Sequence, residues 1–207
     1  MPLLESIFSK IAMNGEVPRY TSDYAALERL FRTKTDVWNF EKDGYETARF
    51  DRIVDLARRV PHDSILEVGC AEGHLTRRLA PLAGKMAAID VSATAVERAR
   101  RAVPDADIRQ ARLEDARWDR KFDLVVCSET IYYLKDIPAA IRKLNSLGRY
   151  VLVTYTLYEK NRLDPIFSRI PAILNTSFNY LKFFDADRIV NWRGIRIVLW
   201  WSGAPWR

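Results

Sequence analysis

Apolar and polar residues change rhythm twice along this chain, and the changes divide it into three stretches. Up to about residue 60 the rhythm is helical. Thr21 or Ser22 is placed to cap a helix over 23–32, and a second helix is predicted over 44–60. There Tyr45, Ala48, Ile53, Leu56 and Val60 form one apolar stripe before Pro61 and His62 end it. From 64 to 155 short apolar runs alternate with helical segments. Strands are predicted over 64–68, 85–90, 106–110, 122–128 and 149–155, and helices over 73–83, 93–103 and 137–145. The run 122–128 is apolar almost throughout, as a strand covered on both faces must be. Such alternation implies parallel pairing with right-handed crossovers. Beyond Tyr158 a helix over 161–176, interrupted by Pro165 and Pro171, is followed by β-rich stretches at 178–184 and 195–201. Residues 191–194 are the expected turn between these two antiparallel strands. The fold class expected is therefore α/β, a mostly parallel sheet with a helical N-terminal cap and an antiparallel C-terminal hairpin.

Composition changes this picture little. A chain of 207 residues builds one sizeable core and is short for two, and no repeat or flexible linker divides it. No apolar run is long enough to span a bilayer, and Met1 to Glu5 lack the features of a secretory signal. Cys70 and Cys127 offer neither a disulfide framework nor metal-ligand spacing. A cytoplasmic protein without a membrane span is expected. The net charge of +6 raises a nucleic-acid partner, but the basic residues (Arg49, Arg52, Arg58 and Arg59; Arg98, Arg100 and Arg101) alternate with Glu and Asp on predicted helix faces. Solvated helix faces are the better account of them, and a phosphate-binding stripe the lesser one.

The chemistry concentrates after the first strand, in Ile65-Leu66-Glu67-Val68-Gly69-Cys70-Ala71-Glu72-Gly73-His74. Gly69 and Gly73 permit a tight turn into a helix, at the carboxyl end of a strand where open α/β sheets bind ligands. A glycine loop alone is weak evidence. Asp90, ending the second strand seventeen positions beyond Gly73, adds an acid placed to accept from ribose hydroxyls. Glu67 then separates the cofactors: a carboxylate beside the loop repels a pyrophosphate and favours a ligand with a cationic tail. Ala71 also stands where the dinucleotide pattern wants glycine, which puts NAD second.

This loop and its two acids resemble the motif of class I S-adenosylmethionine-dependent methyltransferases, over roughly residues 60 to 157. The resemblance implies a Rossmann-like sandwich of that class and S-adenosylmethionine as cofactor, with S-adenosylhomocysteine as product. It implies a single methyltransferase domain over 1–207: a helical cap at 1–60, a cofactor-binding core at 61–157, and an acceptor-side helix and terminal strands at 158–207. By the same resemblance Gly69, Cys70, Ala71 and Gly73 contact the methionine part and Asp90 the ribose. Val91 packs on adenine, and Leu113 with Glu114 meets its edge. Arg112 stands where many relatives have an aspartate that reads the adenine amine. Glu114 and Asp115 are equally explained as exposed charges.

The fourth strand ends Ser128-Glu129-Thr130-Ile131-Tyr132-Tyr133-Leu134. This stretch, with Asp36-Val37-Trp38 and Tyr45-Glu46-x-x-Arg49, resembles the nodulation protein S type of N-methyltransferases, which methylate an amino sugar. In that group the N-terminal region caps the cofactor and an arginine can meet its carboxylate, a role that falls on Arg49; the alternative is a solvated helix charge. No Asn/Asp-Pro-Pro-Tyr motif, no Pro-Cys nucleophile and no His/Asp/Glu cluster at metal spacing is present, so no metal is expected. Glu129 is the candidate to hold an amine or take its proton, aided by a tyrosine at 132, 133 or 155, with Tyr132 the catalytic assignment among them and Ser128 assigned to the cofactor. A helix-capping role explains Glu129 as well. His74 is a further base candidate or a surface residue. Trp192, Trp200, Trp201 and Trp206 are read as sheet-edge packing or a sugar-stacking surface. The expected activity is methyl transfer to a small-molecule or saccharide amine or hydroxyl. An RNA methyltransferase, a non-catalytic cofactor-binding subunit and a dinucleotide oxidoreductase are the alternatives.

Overall fold

The computed structural model describes residues 24–185 and 188–203, with only the backbone described between 181 and 192. The proposed cap residues Thr21 and Ser22, with Asp23, lie outside them, as does Trp206. Seven strands form one sheet in the order β3-β2-β1-β4-β5-β7-β6. These are β1 (Ser64–Val68), β2 (Lys85–Asp90), β3 (Asp107–Gln110), β4 (Phe122–Ser128), β5 (Gly148–Thr156), β6 (Ala172–Asp185) and β7 (Arg188–Trp201). The first five pair in parallel, and β7 runs antiparallel to both β5 and β6. The α/β class, the parallel core and the antiparallel end of the expectation are all present.

Among the described residues six α-helices accompany them: α1 (Tyr24–Thr33), α2 (Gly44–Ala57), α3 (His74–Leu79), α4 (Ala93–Ala102), α5 (Ile137–Leu147) and α6 (Lys160–Phe167). Side chains explain their starts, since Asp43, Ser92 and Asp136 cap α2, α4 and α5 by accepting from Tyr45, Ala95 and Ala139 amides. Alternate residues of each central strand feed opposite faces. Leu66, Val125, Cys127, Val151 and Val153 pack with Ile141 and Leu144 of α5. Ile65, Leu124, Val126 and Leu152 pack with Ile53 and Leu56 of α2 and with Leu75 and Leu79 of α3. Both faces are covered, which is why β4 reads as a continuous apolar run. Among the described residues no helix is long and apolar enough to cross a membrane.

The C-terminal part departs from expectation twice. The helix predicted to run to residue 176 ends at Phe167, and Ala172 begins a strand. From there Ala172, Leu174, Thr176, Phe178 and Tyr180 are half-buried while Ile173, Asn175, Ser177 and Asn179 are exposed, a period of two. Pro171 lacks the amide that would continue a helix, and the β period takes over. Nor is 191–194 a turn: β7 passes straight through it, and the chain reverses between Asp185 and Arg188. Gly194 instead serves close packing, for a Cβ there would lie 2.7 Å from Leu157 Cδ1.

Pairing of β5 with β7 stops at Thr156 and Ile195, whereas β6 and β7 stay paired from Asn179–Gly194 onward to Asp185–Arg188. The hairpin therefore projects as a two-stranded ribbon beyond the carboxyl ends of the parallel strands. Trp200 is buried, its indole N–H on Asn145 Oδ1, while Trp201 is half exposed.

Candidate functional site

Strand order reverses at β1, with β2 on one side and β4 on the other, and this crevice is where open α/β sheets hold ligands. Leaving β1, the chain adopts left-handed backbone at Gly69 (φ 78°), Ala71 (φ 46°) and Gly73 (φ 87°). A Cβ at Gly73 would sit 3.1 Å from Ala99 Cα, so this glycine lets the loop lie against α4. The loop amides are engaged within the protein. Gly69 and Cys70 donate to Ile89 O (2.8 and 3.1 Å), Ala71 to Asp90 Oδ2 (2.9 Å) and Gly73 to Cys70 O (2.9 Å). A pyrophosphate would need those donors free. The Cys70 thiol is buried, which raises its pKa and keeps it unreactive.

Asp90 accepts Ala71 N–H on one oxygen and Ser92 N–H on the other (2.9 Å each). A carboxylate has about four lone-pair sites, so each oxygen can take another donor. Burial raises this carboxyl, and the amides of Ser92, Ala71 and Val91 oppose the shift. Val91 follows at the crevice rim, its carbonyl held by Gln110 Nε2 at 3.1 Å. Leu113 points its side chain into the core, and Glu114 beside it is exposed. Helix α1 leans over this edge: Arg112 lies 4.9 Å from the Tyr24 ring centroid, and Glu28 accepts from the hydroxyls of Ser92 and Thr94 (2.7 Å each).

On the other side of β1, three charged groups converge. Glu67, buried at the end of β1, accepts from Thr76 Oγ1 at 2.6 Å. Burial lifts its pKa to about 7, opposed by Thr76 and Arg49 and aided by Asp90. Arg49 is buried on α2, not solvated. Its Nε and Nη2 hold Glu46 Oε2 at 2.8 and 2.5 Å, and its Nη1 donates to Ser128 Oγ at 2.6 Å. Two of its five N–H groups remain for a ligand carboxylate. Burial pulls the guanidinium pKa down, but Glu46 and Glu129 outweigh it and raise it. Glu129 takes left-handed backbone (φ 53°) just past β4, an uncommon state for a non-glycine residue. Its Oε1 accepts from Thr154 Oγ1 at 3.0 Å and its Oε2 from Tyr132 OH at 3.2 Å. Burial raises its pKa, and Arg49 is the largest opposing influence.

The sequence-predicted acids, Arg49, Ser128 and Tyr132 thus come together, while several other expectations are corrected. Tyr155 turns its hydroxyl to Asp164 at 2.7 Å, out of the site, because α6 places that carboxylate behind β5. His74 is largely buried against Phe40 rather than lying on the surface, since the cap loop folds over it. Distant residues also assemble what local spacing did not contain: Asp36, Glu72 and His74 offer ligand-type atoms within 4.8 Å of one another. Both Asp36 oxygens already accept amides, from Phe40 and Glu41, and Glu72 pairs with Arg98 at 2.6 Å. The set stitches the cap loop to the glycine loop. Thr154 and Arg193 were not singled out from sequence, and Glu46 entered only within the motif that leads to Arg49. An opposite-charge pair three residues apart on an otherwise apolar stripe was the available signal for Glu46; Arg193 had none.

Comparison with known proteins supplies the family and the fold. The model of the family described as Nodulation protein S (NodS) matches residues 24–152. Nodulation protein S of Bradyrhizobium diazoefficiens is 36% identical over 126 residues, covering 54% of this chain and 57% of that protein. The Sinorhizobium fredii protein is 34% identical over 130 residues, covering 58% and 57%. The chain thus spans little more than half the length of these relatives. The solved N-methyltransferase NodS from Bradyrhizobium japonicum WM9, in complex with S-adenosyl-l-homocysteine, superposes with a TM-score of 0.69 at 20% identity, covering 87% of this chain and 98% of that one. That likeness establishes the class I methyltransferase fold, and the family match over more than half of its length makes this chain a member of the nodulation protein S family.

Proposed function

We propose that the protein is an S-adenosylmethionine-dependent N-methyltransferase acting on a small-molecule or saccharide amine in the cytoplasm. The observation that carries it is the convergence of Arg49, Glu67 and Glu129 over the ends of β1 and β4, with Asp90 across the crevice. In this reading Asp90 takes the ribose hydroxyls, Val91, Leu113 and Glu114 border the adenine, and the loop from Gly69 to Gly73 lies along the amino-acid tail. Arg49 holds the tail carboxylate with its two remaining N–H groups, and Glu67 favours the cationic end. Residues 24–60 act as the cap, 61–157 as the cofactor-binding core and 158–203 as the acceptor side.

When bound, S-adenosylmethionine supplies an already activated methyl group, so the chain's task is placement and proton handling. An amine attacks only when neutral. Glu129 receives its proton, at a pKa that burial has moved toward the working range. Tyr132 and Thr154 hold the two carboxylate oxygens and fix the face offered to the amine. Small acceptors are favoured over nucleic acid by the pairing of surface arginines: Arg58 with Asp55, Arg101 with Glu97 and Arg109 with Asp107. The name of the solved relative supports nitrogen over oxygen. Calorimetric titration with S-adenosylhomocysteine and with NADH, on wild type and Asp90→Ala, tests the reading. Binding of the former alone, weakened at least tenfold in the variant, is expected, and methyl transfer to amino sugars is the assay that follows. Preference for NADH would overturn it.

A further inference from the structure

Arg193 lies on the projecting ribbon, outside the stretch matched by the family model, yet it reaches the cap helix. Its Nη2 donates to Glu46 Oε1 at 2.8 Å, its Nη1 bonds Asp43, and its guanidinium stacks 4.0 Å from the Tyr45 ring centroid. Asp43 in turn caps α2 through Tyr45 N–H at 3.0 Å. Glu46 is therefore divided between two arginines, Oε1 to Arg193 and Oε2 to Arg49. It is buried at 4% exposure, so its two arginines are its charge partners in place of bulk water. Without Arg193, the freed oxygen of this carboxylate competes for the cation already bound to the other oxygen, Arg49. That would turn the guanidinium away from Ser128 and carry its two remaining N–H groups with it.

We propose that Arg193 is a positioning residue: acting through Glu46, it holds Arg49 in register for the carboxylate tail of the cofactor. The inference rests on the S-adenosylmethionine reading, and its test separates the two. S-adenosylhomocysteine carries the tail carboxylate, and 5′-methylthioadenosine does not. Affinities for both are measured calorimetrically on wild type, Arg193→Ala, Arg193→Lys and Glu46→Gln, with Arg101→Ala as an exposed control. Arg193→Ala is expected to weaken S-adenosylhomocysteine about tenfold and leave methylthioadenosine within about twofold, as the loss of a charged hydrogen bond would. Lysine restores part of the loss because it reaches one acid but not two. Glu46→Gln shows the same selective loss, and decides the matter if Arg193→Ala does not fold. Equal weakening of both ligands, or none, overturns the positioning role. Failure of wild type to bind either ligand overturns the cofactor reading itself.

Discussion

Thr76 donates its hydroxyl to Glu67 at 2.6 Å, tying the first turn of α3 to the end of β1 and holding in place a buried carboxylate that burial lifts to about 7. At neutral pH this group is divided between its charged and neutral forms, and a cationic ligand tail selects the charged one. Binding of S-adenosylhomocysteine near pH 7 is therefore expected to release a fraction of a proton, and affinity to fall as pH drops from 8 to 6. Calorimetry in buffers of different ionisation enthalpy measures both; a buffer-independent enthalpy would separate Glu67 from the ligand. The folded-state pKa exceeds the ordinary value of 4.5, so the stability linked to Glu67 is full below that value and is lost as pH rises through about 7. Glu67→Gln should flatten the stability profile between pH 5 and 8.

Glu129 and Tyr132 predict a graded loss of turnover. Glu129→Gln keeps the shape and removes the base, so kcat is expected to fall about a hundredfold or more while S-adenosylhomocysteine affinity changes little. Tyr132→Phe removes one hydrogen bond to Glu129 and should cost roughly tenfold. Because burial raises the Glu129 pKa, the rising limb of the pH–rate profile lies above the ordinary carboxylate range and vanishes in Glu129→Gln. Retention of that limb in the variant would assign the base elsewhere.

Glu28 predicts an acid-labile cap. Burial alone would raise its carboxyl, but the hydroxyls of Ser92 and Thr94, with Arg32, outweigh it and hold the pKa at about 2. Here the sign is opposite to that of Glu67. The contribution is present above about 4.5 and is lost as pH falls toward 2. Glu28→Ala should cost about 1–3 kcal/mol, with faster amide exchange concentrated in α1. Exchange unchanged in residues 24–33 would show that α1 docks by other contacts.

Gly73 predicts a backbone penalty. Alanine there meets both a left-handed φ of 87° and the Ala99 Cα at 3.1 Å. Denaturant unfolding of Gly73→Ala is expected to show a loss of about 1–3 kcal/mol. A loss under about 0.5 kcal/mol would mean that α4 yields at no cost.

How far the molecule could be read in advance follows from the range of the forces involved. Strands β1, β2 and β4 were legible to the residue, because burial on both faces imposes a mainly apolar run bounded by polar turns. Glu67, Asp90 and Glu129 were legible because each is an acid at or next to the end of such a run. The start of β6 was misread because Ala172, Ile173 and Leu174 look helical in isolation; only the alternation through Tyr180 shows the strand. Gly194 was misread as a turn residue because the reason for a glycine there is a side chain, Leu157, on another element. Arg193 was invisible because its partners Asp43 and Glu46 are roughly 150 residues away along the chain.

That same distance has a consequence for biosynthesis. Strands β1 to β5 and their helices lie upstream of the hairpin, so they leave the ribosome first and can begin to associate while the rest is still being made. The ribbon that carries Arg193 is made after them, and until it docks, the buried Glu46 lacks one of its two cations. A nascent chain can thus pair its parallel strands while the grip on Arg49 is unfinished, so competence for ligand would wait for the ribbon and not for the parallel core.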